Sequence, residues 1–147
     1  AVHHGTAVEV DGTVHHTSVR PEALVDLRSV PGLPGPKLPW LRDVARAALE
    51  GDLDPEHLLG QEPANALRGL RRIAGIGPFS AEVILVRGAG HPDVHARNEP
   101  LLRRLLEQHY GSADSDVVDA WRPRRSWAAF LLRTAAQSTV TTTLPRT

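Results

Sequence analysis

The chain has 147 residues, 41% hydrophobic and 23% charged, with 17 basic side chains against 17 acidic ones for a net charge of zero. That length suits one domain whose core buries about two-thirds of the unfolded surface, and the composition excludes disorder and fibrous repeats. No apolar run approaches the roughly 18 residues of a membrane-crossing helix, and the absence of cysteine excludes disulfides, thiolate metal sites, a cysteine nucleophile and a cysteine-ligated iron–sulfur cluster.

Alternating apolar and polar residues from Ala7 to His16 surround Asp11-Gly12, a dipeptide that supplies the positive φ angles of a two-residue hairpin. Pro21 precedes a short helix from Glu22 to Ser29, and the run Pro31-Gly32-Leu33-Pro34-Gly35-Pro36 is a turn-rich connection. Leu38, Leu41, Val44, Ala45, Ala48 and Leu49 recur at helical spacing up to Gly51, which predicts one amphipathic helix. A short segment Pro55–Leu59 leads to a helix from Glu62 to Ile73, and Gly75-Ile76-Gly77 separates it from a further helix beginning at Pro78 and running to Gly88 and Gly90. Pro sits well at a first helical position. Helices over Pro100–His109, Asp116–Trp121 and Arg124–Ala136 complete an all-α domain over 21–137, after an N-terminal segment 1–20 and before a Thr-rich flexible tail 138–147. The chain opens at Ala1, contains no Met and lacks the charged head and apolar run of a signal peptide, which leaves a processed chain or a fragment open.

Charge is unevenly distributed. Residues 1–66 carry five basic and ten acidic groups, whereas 67–109 carry seven and four, and all but one of the cations are Arg. Arg presents a planar fork suited to phosphate, although a GC-rich genome produces the same bias.

The densest signal is Leu70-Arg71-Arg72-Ile73-Ala74-Gly75-Ile76-Gly77-Pro78-Phe79-Ser80-Ala81-Glu82. Two glycines one residue apart let a turn take positive φ and let a foreign backbone approach, while the next helix opens with outward amides that attract an anion. Outward carbonyls of such a turn can also hold a monovalent cation. A plain corner between two helices, with Gly as a cap, fits the spacing equally well.

This segment resembles the helix-hairpin-helix of the base-excision DNA glycosylase superfamily. Arg87-Gly88-x-Gly90-x-Pro92-Asp93-Val94, Leu102-Arg103-Arg104 and Trp121-Arg122-Pro123-Arg124-Arg125-Ser126-Trp127-Ala128, together with Pro21-Glu22-Ala23-Leu24 and Gly51-Asp52-Leu53-Asp54, resemble the 3-methyladenine DNA glycosylase II branch over about residues 20–136. The resemblance implies the glycosylase orthogonal helical bundle, with the family's earlier helices missing as if the chain were truncated at its N-terminus. It places DNA-binding backbone at Gly75, Ile76, Gly77, Pro78, Phe79 and Ser80, with Arg124 and Arg125 as further phosphate contacts. It places a monovalent cation on the carbonyls of Arg71, Ile73 and Gly75, and requires no other cofactor. The family's catalytic Asp falls at Glu99, one methylene longer and followed by Pro100. Arg133 stands where the family stacks an aromatic residue on the extruded base, and Asn98 joins it in the base pocket. Arg124 replaces another family aromatic, and Phe79 the hairpin's common Trp. The active site is therefore divergent.

A carboxylate at this place stabilises the positive charge that builds on the sugar when an N-glycosidic bond breaks, and orients the attacking water. The activity implied is monofunctional excision of an alkylated or deaminated purine flipped from double-stranded DNA, in the cytoplasm at the nucleoid and without a membrane partner. A lyase step needs an amine nucleophile at the hairpin, and the sole Lys is Lys37. Two alternatives stay open: a catalytically inactive DNA-binding member, and the same fold reused for another reaction. Composition leaves the oligomeric state open.

Elsewhere the plain readings are favoured. His3, His4, His15 and His16 are exposed polar residues rather than a metal cluster. His91, His95 and His109 have surface or capping roles, and Asp93 caps a helix. Trp40, Trp121 and Trp127 anchor the core.

Overall fold

A computed structural model describes residues 5–141. Its elements run β1 (Ala7–Val10), β2 (Thr13–His16), α1 (Pro21–Asp26), α2 (Lys37–Leu49), α3 (Pro55–Leu59), α4 (Pro63–Leu70), α5 (Pro78–Val83), a π turn (Ile84–Gly88), α6 (Pro100–Tyr110), α7 (Ser115–Asp119) and α8 (Arg125–Thr141). The described residues are thus mostly helical with one short antiparallel hairpin, as the sequence led us to expect.

Asp11 (φ 50°) and Gly12 (φ 74°) form the two-residue turn, pairing Ala7 with His16 and Val10 with Thr13, in the geometry that matches strand twist. Every residue of both strands is exposed. His15 and His16 therefore sit in solvent, and His3 and His4 lie outside the described residues.

Five helices, α1 and α3 to α6, have Pro as their first residue, where its missing N–H leaves no bond unmade. Their ends depart from the sequence pattern for local reasons. Helix α1 stops at Asp26 rather than Ser29, because Leu27 turns extended (φ −60°, ψ 125°) and its carbonyl accepts from Arg42 Nε of α2 at 2.9 Å. Helix α4 stops at Leu70 rather than Ile73, since Arg72 and Ile73 donate to Gly69 and Leu70 at 3.0 and 3.2 Å and tighten the chain into the hairpin. After Val83 the next helix widens, and the Ala89 N–H reaches five residues back to the Ile84 carbonyl at 2.9 Å, a one-turn π bulge of the kind often found at functional sites. Helix α8 continues beyond Ala136 into the expected tail, because no Gly or Pro interrupts Arg125–Thr141; residues 142–147 lie outside the described residues.

Two apolar clusters hold the helices. Leu58, Ala66, Leu70, Ile76, Ala81, Leu85, Ala89 and Val94 join α3, α4, the hairpin, α5 and the π turn. Leu102, Leu106, Val118 and Ala129 join α6, α7 and α8, with Trp121 packed beside them and edge-on to Tyr110 at 5.9 Å between ring centres. Each fully buried Leu contributes about 1.5–3 kcal/mol. No helix among the described residues is long and apolar enough to cross a membrane.

Candidate active site

The hairpin between α4 and α5 uses its two glycines differently. Gly75 has φ +86°, and a Cβ there would lie 2.8 Å from the Trp40 Cβ, so the position admits only glycine. Gly77 has φ −82° and ψ 176°, ordinary extended backbone, with open space where its Cβ would be. The two roles expected of the pair are thus divided: Gly75 supplies the positive φ of the turn, and Gly77 leaves room in front of it. Gly77, Pro78 and Phe79 are exposed, whereas the Ile76 side chain is buried and can offer a ligand only its backbone. The Ala81 N–H donates to the Gly77 carbonyl at 2.9 Å, and the amides before it, those of Phe79 and Ser80, lie in the turn where an α-helix leaves donors without a helical acceptor. The Ile73 carbonyl accepts from the Ile76 N–H at 3.1 Å and keeps a second lone pair. Arg71 caps the C-terminus of α4, where carbonyls lack helical donors.

Beyond the π turn, the loop from Pro92 to Glu99 is stitched down from two sides. Glu82 of α5 is 5% exposed and Ser126 of α8 is 6% exposed, and among the described residues these are the buried polar side chains. The Glu82 carboxylate accepts from the Arg97 N–H (3.1 Å), the Asn98 N–H (2.9 Å) and the Asn98 side-chain amide (2.7 Å). Ser126 Oγ accepts from the Val94 N–H at 3.0 Å. Asp93 receives Arg125 Nε at 2.7 Å and Nη2 at 3.0 Å, as well as the Arg125 N–H at 3.2 Å. Those hydrogen bonds from Arg125 hold the Asp93 carboxyl below its usual range, against the opposing push of burial. The capping role expected of Asp93 is present, with an ion pair added to it.

Glu99 follows this loop as the N-cap of α6 and lines a cavity of about 390 Å³, within the range of small-ligand sites. One wall comes from α5 and the π turn, with Phe79, Val83, Val86 and Arg87; the other comes from α8, with Trp127, Phe130 and Arg133. Phe79, Trp127 and Phe130 are 47%, 55% and 55% exposed, and the last two rings meet edge-on at 6.3 Å between centres. Trp127 is therefore a wall of the cavity rather than a core anchor, and Trp40, 45% exposed, is only partly covered by its contact with the hairpin.

Inside the cavity, Arg133 Nε lies 3.0 Å from Glu99 Oε1, with both side chains largely buried. The approach is off the line of a hydrogen bond, so the buried Nε–H is left without an acceptor and the contact is an ion pair alone. Burial pushes the Glu99 carboxyl above its usual value, against the pull of the Arg87 guanidinium and with a further push from Glu82. The Arg133 charge acts with Arg87 to favour the ionised form.

Glu99, Phe79 and Arg133 thus meet at one cavity, and the exposed hairpin backbone adjoins it through Phe79. Arg124 is exposed beside α8. Arg125 is turned inward onto Asp93 and Asp119, its side chain 12% exposed, and so has little surface to give a phosphate. Asn98 supports Glu82 rather than lining the cavity. His95 is part-buried with Nδ1 lacking a hydrogen-bond partner, and burial followed by the Arg97 and Arg125 charges lowers its pKa; it is not the surface residue expected. His91 does line the cavity, and its Nδ1 accepts from the Asp93 N–H at 3.1 Å. Sequence reasoning missed Glu82, Phe130 and Trp127 as site residues. Trp127, Phe130 and Arg133 repeat every three residues along α8, a spacing that places them on one face.

No protein-family model matches the chain. Over 103 residues it is 25% identical to the Bacillus subtilis (strain 168) protein named "Putative DNA-3-methyladenine glycosylase YfjP"; the match covers 65% of this chain and 36% of that protein. The chain thus spans about a third of that relative's length. The likeness supports the DNA glycosylase family.

Proposed function

We propose that the protein is a monofunctional DNA glycosylase that flips a damaged purine out of double-stranded DNA and hydrolyses its N-glycosidic bond, with alkylated and deaminated purines as the substrate classes. The observation that carries this reading is the Glu99 carboxylate inside an aromatic-walled cavity next to the exposed hairpin. A phosphate against the Phe79 and Ser80 amides, supported by a monovalent cation on the Arg71, Ile73 and Gly75 carbonyls, anchors the backbone. The extruded base enters between the Phe79 wall and the Trp127–Phe130 wall, where stacking compensates for its loss from the helix. Glu99 faces the sugar, stabilises the positive charge that develops there and holds the attacking water. Lys37, at the start of α2, does not line the cavity, which accords with hydrolysis without a lyase step. On this reading the site of action is the cytoplasm, at the nucleoid.

The test is single-turnover base release from duplexes carrying one damaged purine, wild type against Glu99→Gln. Release that the substitution abolishes while DNA binding persists supports the reading.

The ion pair between Glu99 and Arg133 favours a second reading, a DNA-binding member without chemistry, because the guanidinium occupies the carboxylate that catalysis needs. Salt-sensitive duplex binding with no release by the wild type distinguishes it. The absence of both points to a fold reused for another reaction.

A further inference from the structure

The cavity contains charge that the proposed chemistry has not yet used. Arg87, from the π turn, and Arg133, from α8, line opposite walls of it. Of the two carboxylates there, Glu82 is committed to three hydrogen bonds with the loop at Arg97 and Asn98. Glu99 is the carboxylate left to face the two guanidinium groups directly. It does not saturate Arg133, whose Nε–H is buried without an acceptor although it lies 3.0 Å from the carboxylate. Arg133 is also one helical turn beyond Phe130 and on the same face of α8, so a base stacked on Trp127 and Phe130 presents an edge to it.

Purine lesions divide by charge. N3- or N7-alkylated purines enter as cations and leave as neutral bases, so they gain nothing from guanidinium groups and are repelled by them. Deaminated and other 6-oxopurines enter neutral, present two adjacent acceptors, O6 and N7, that match an Arg fork, and leave as anions that need stabilisation. Resting on the glycosylase reading, we infer that this cavity selects neutral 6-oxopurines over cationic alkylpurines, with Arg133 reading O6 and N7 and stabilising the departing base.

The step balances without a further reactant. The C1′–N9 bond breaks with its electron pair passing to the purine, where the charge spreads towards O6 and N7 against Arg133. The water oxygen bonds to C1′, and the proton it loses passes to the Glu99 carboxylate and from there to the released base.

The experiment compares single-turnover release of hypoxanthine and of 7-methylguanine, each from an otherwise identical duplex, by the wild type, Arg133→Met and Arg133→Lys, at a pH where Glu99 is ionised. The ratio of the two rates is the readout, because any disturbance of Glu99 acts on both substrates and cancels. The wild type is expected to favour hypoxanthine. Arg133→Met is expected to shift the ratio by about 100-fold towards 7-methylguanine, the scale of losing one preorganised donor to a developing anion, and Arg133→Lys, which keeps the charge, to shift it less. Faster release of 7-methylguanine by the wild type, or a ratio unmoved in Arg133→Met, overturns the inference and leaves the glycosylase reading intact. Release of neither base overturns both.

Discussion

Replacing Gly75 by alanine asks the hairpin to do two things its geometry opposes. The residue sits at φ +86°, and the new methyl would lie 2.8 Å from the Trp40 Cβ and 3.0 Å from its Cγ. Holding a non-glycine residue in a left-handed conformation costs about 1–2 kcal/mol. Relieving the overlap requires moving the root of the Trp40 side chain, and with it α2, at a further 1–3 kcal/mol or so for overpacking. The sum, about 2–5 kcal/mol, is a large fraction of the roughly 5–15 kcal/mol that holds such a domain together. At about 2–4 °C per kcal/mol for a chain of this size, the melting temperature should fall by roughly 4–20 °C. Gly77→Ala is the control, because φ −82° and ψ 176° suit alanine and the added methyl meets nothing within 4 Å. Its melting temperature should be unchanged or slightly raised, while duplex affinity falls because the methyl stands where the proposed phosphate approaches. Thermal unfolding followed by circular dichroism, alongside duplex titration, separates the two effects. Equal loss of stability in both variants would refute this account of the hairpin.

Other expectations follow from the loop and the cavity. Asp93→Asn should destabilise by about 2 kcal/mol at neutral pH through its hydrogen bonds to a charged partner. Because the folded carboxyl is held below its usual range, that contribution is present above the unfolded pKa and is lost as pH falls through the folded one; melting curves of wild type and variant should therefore converge in acid, and a constant gap down to pH 2 contradicts the assignment. The Glu99 carboxyl is raised by burial, so base release should fall on the acid side at a pH above the usual glutamate value. Removing Arg133 should move that limb further up, and a limb at or below the usual value counts against it. Trp127→Ala should change stability little, given the ring's exposure, yet weaken binding of a duplex with an extruded base by about 1–3 kcal/mol; a large drop in melting temperature would return Trp127 to the core.

Much of the framework is local and is readable in the chain. Asp11-Gly12 sets the β hairpin and its register, the stripe from Leu38 to Leu49 sets α2, and the turn at Gly75 sets the approach of α4 to α5. The site depends on contacts that no periodicity carries. Arg125 meets Asp93 across 32 residues, so its basic charge resembled a free phosphate contact until the fold turned it inward. Glu82 sits in an apolar helical stretch, and only the return of the loop at Asn98 explains a carboxylate there. Among the described side chains of α8, Ser126 and Ala129 are the buried ones, which leaves the larger Trp127 and Phe130 to line the cavity; hydrophobicity alone argues the reverse. Glu99 itself was located by motif resemblance, while its ion pair with Arg133 depends on the packing of α6 against α8.

The most direct test of the central claim is the single-turnover rate of base release from hypoxanthine-containing duplex by wild type and Glu99→Gln, with duplex affinity measured on the same samples. The account predicts release by the wild type, a loss of at least about 100-fold in the variant and unchanged affinity. Release at the wild-type rate by Glu99→Gln would contradict it.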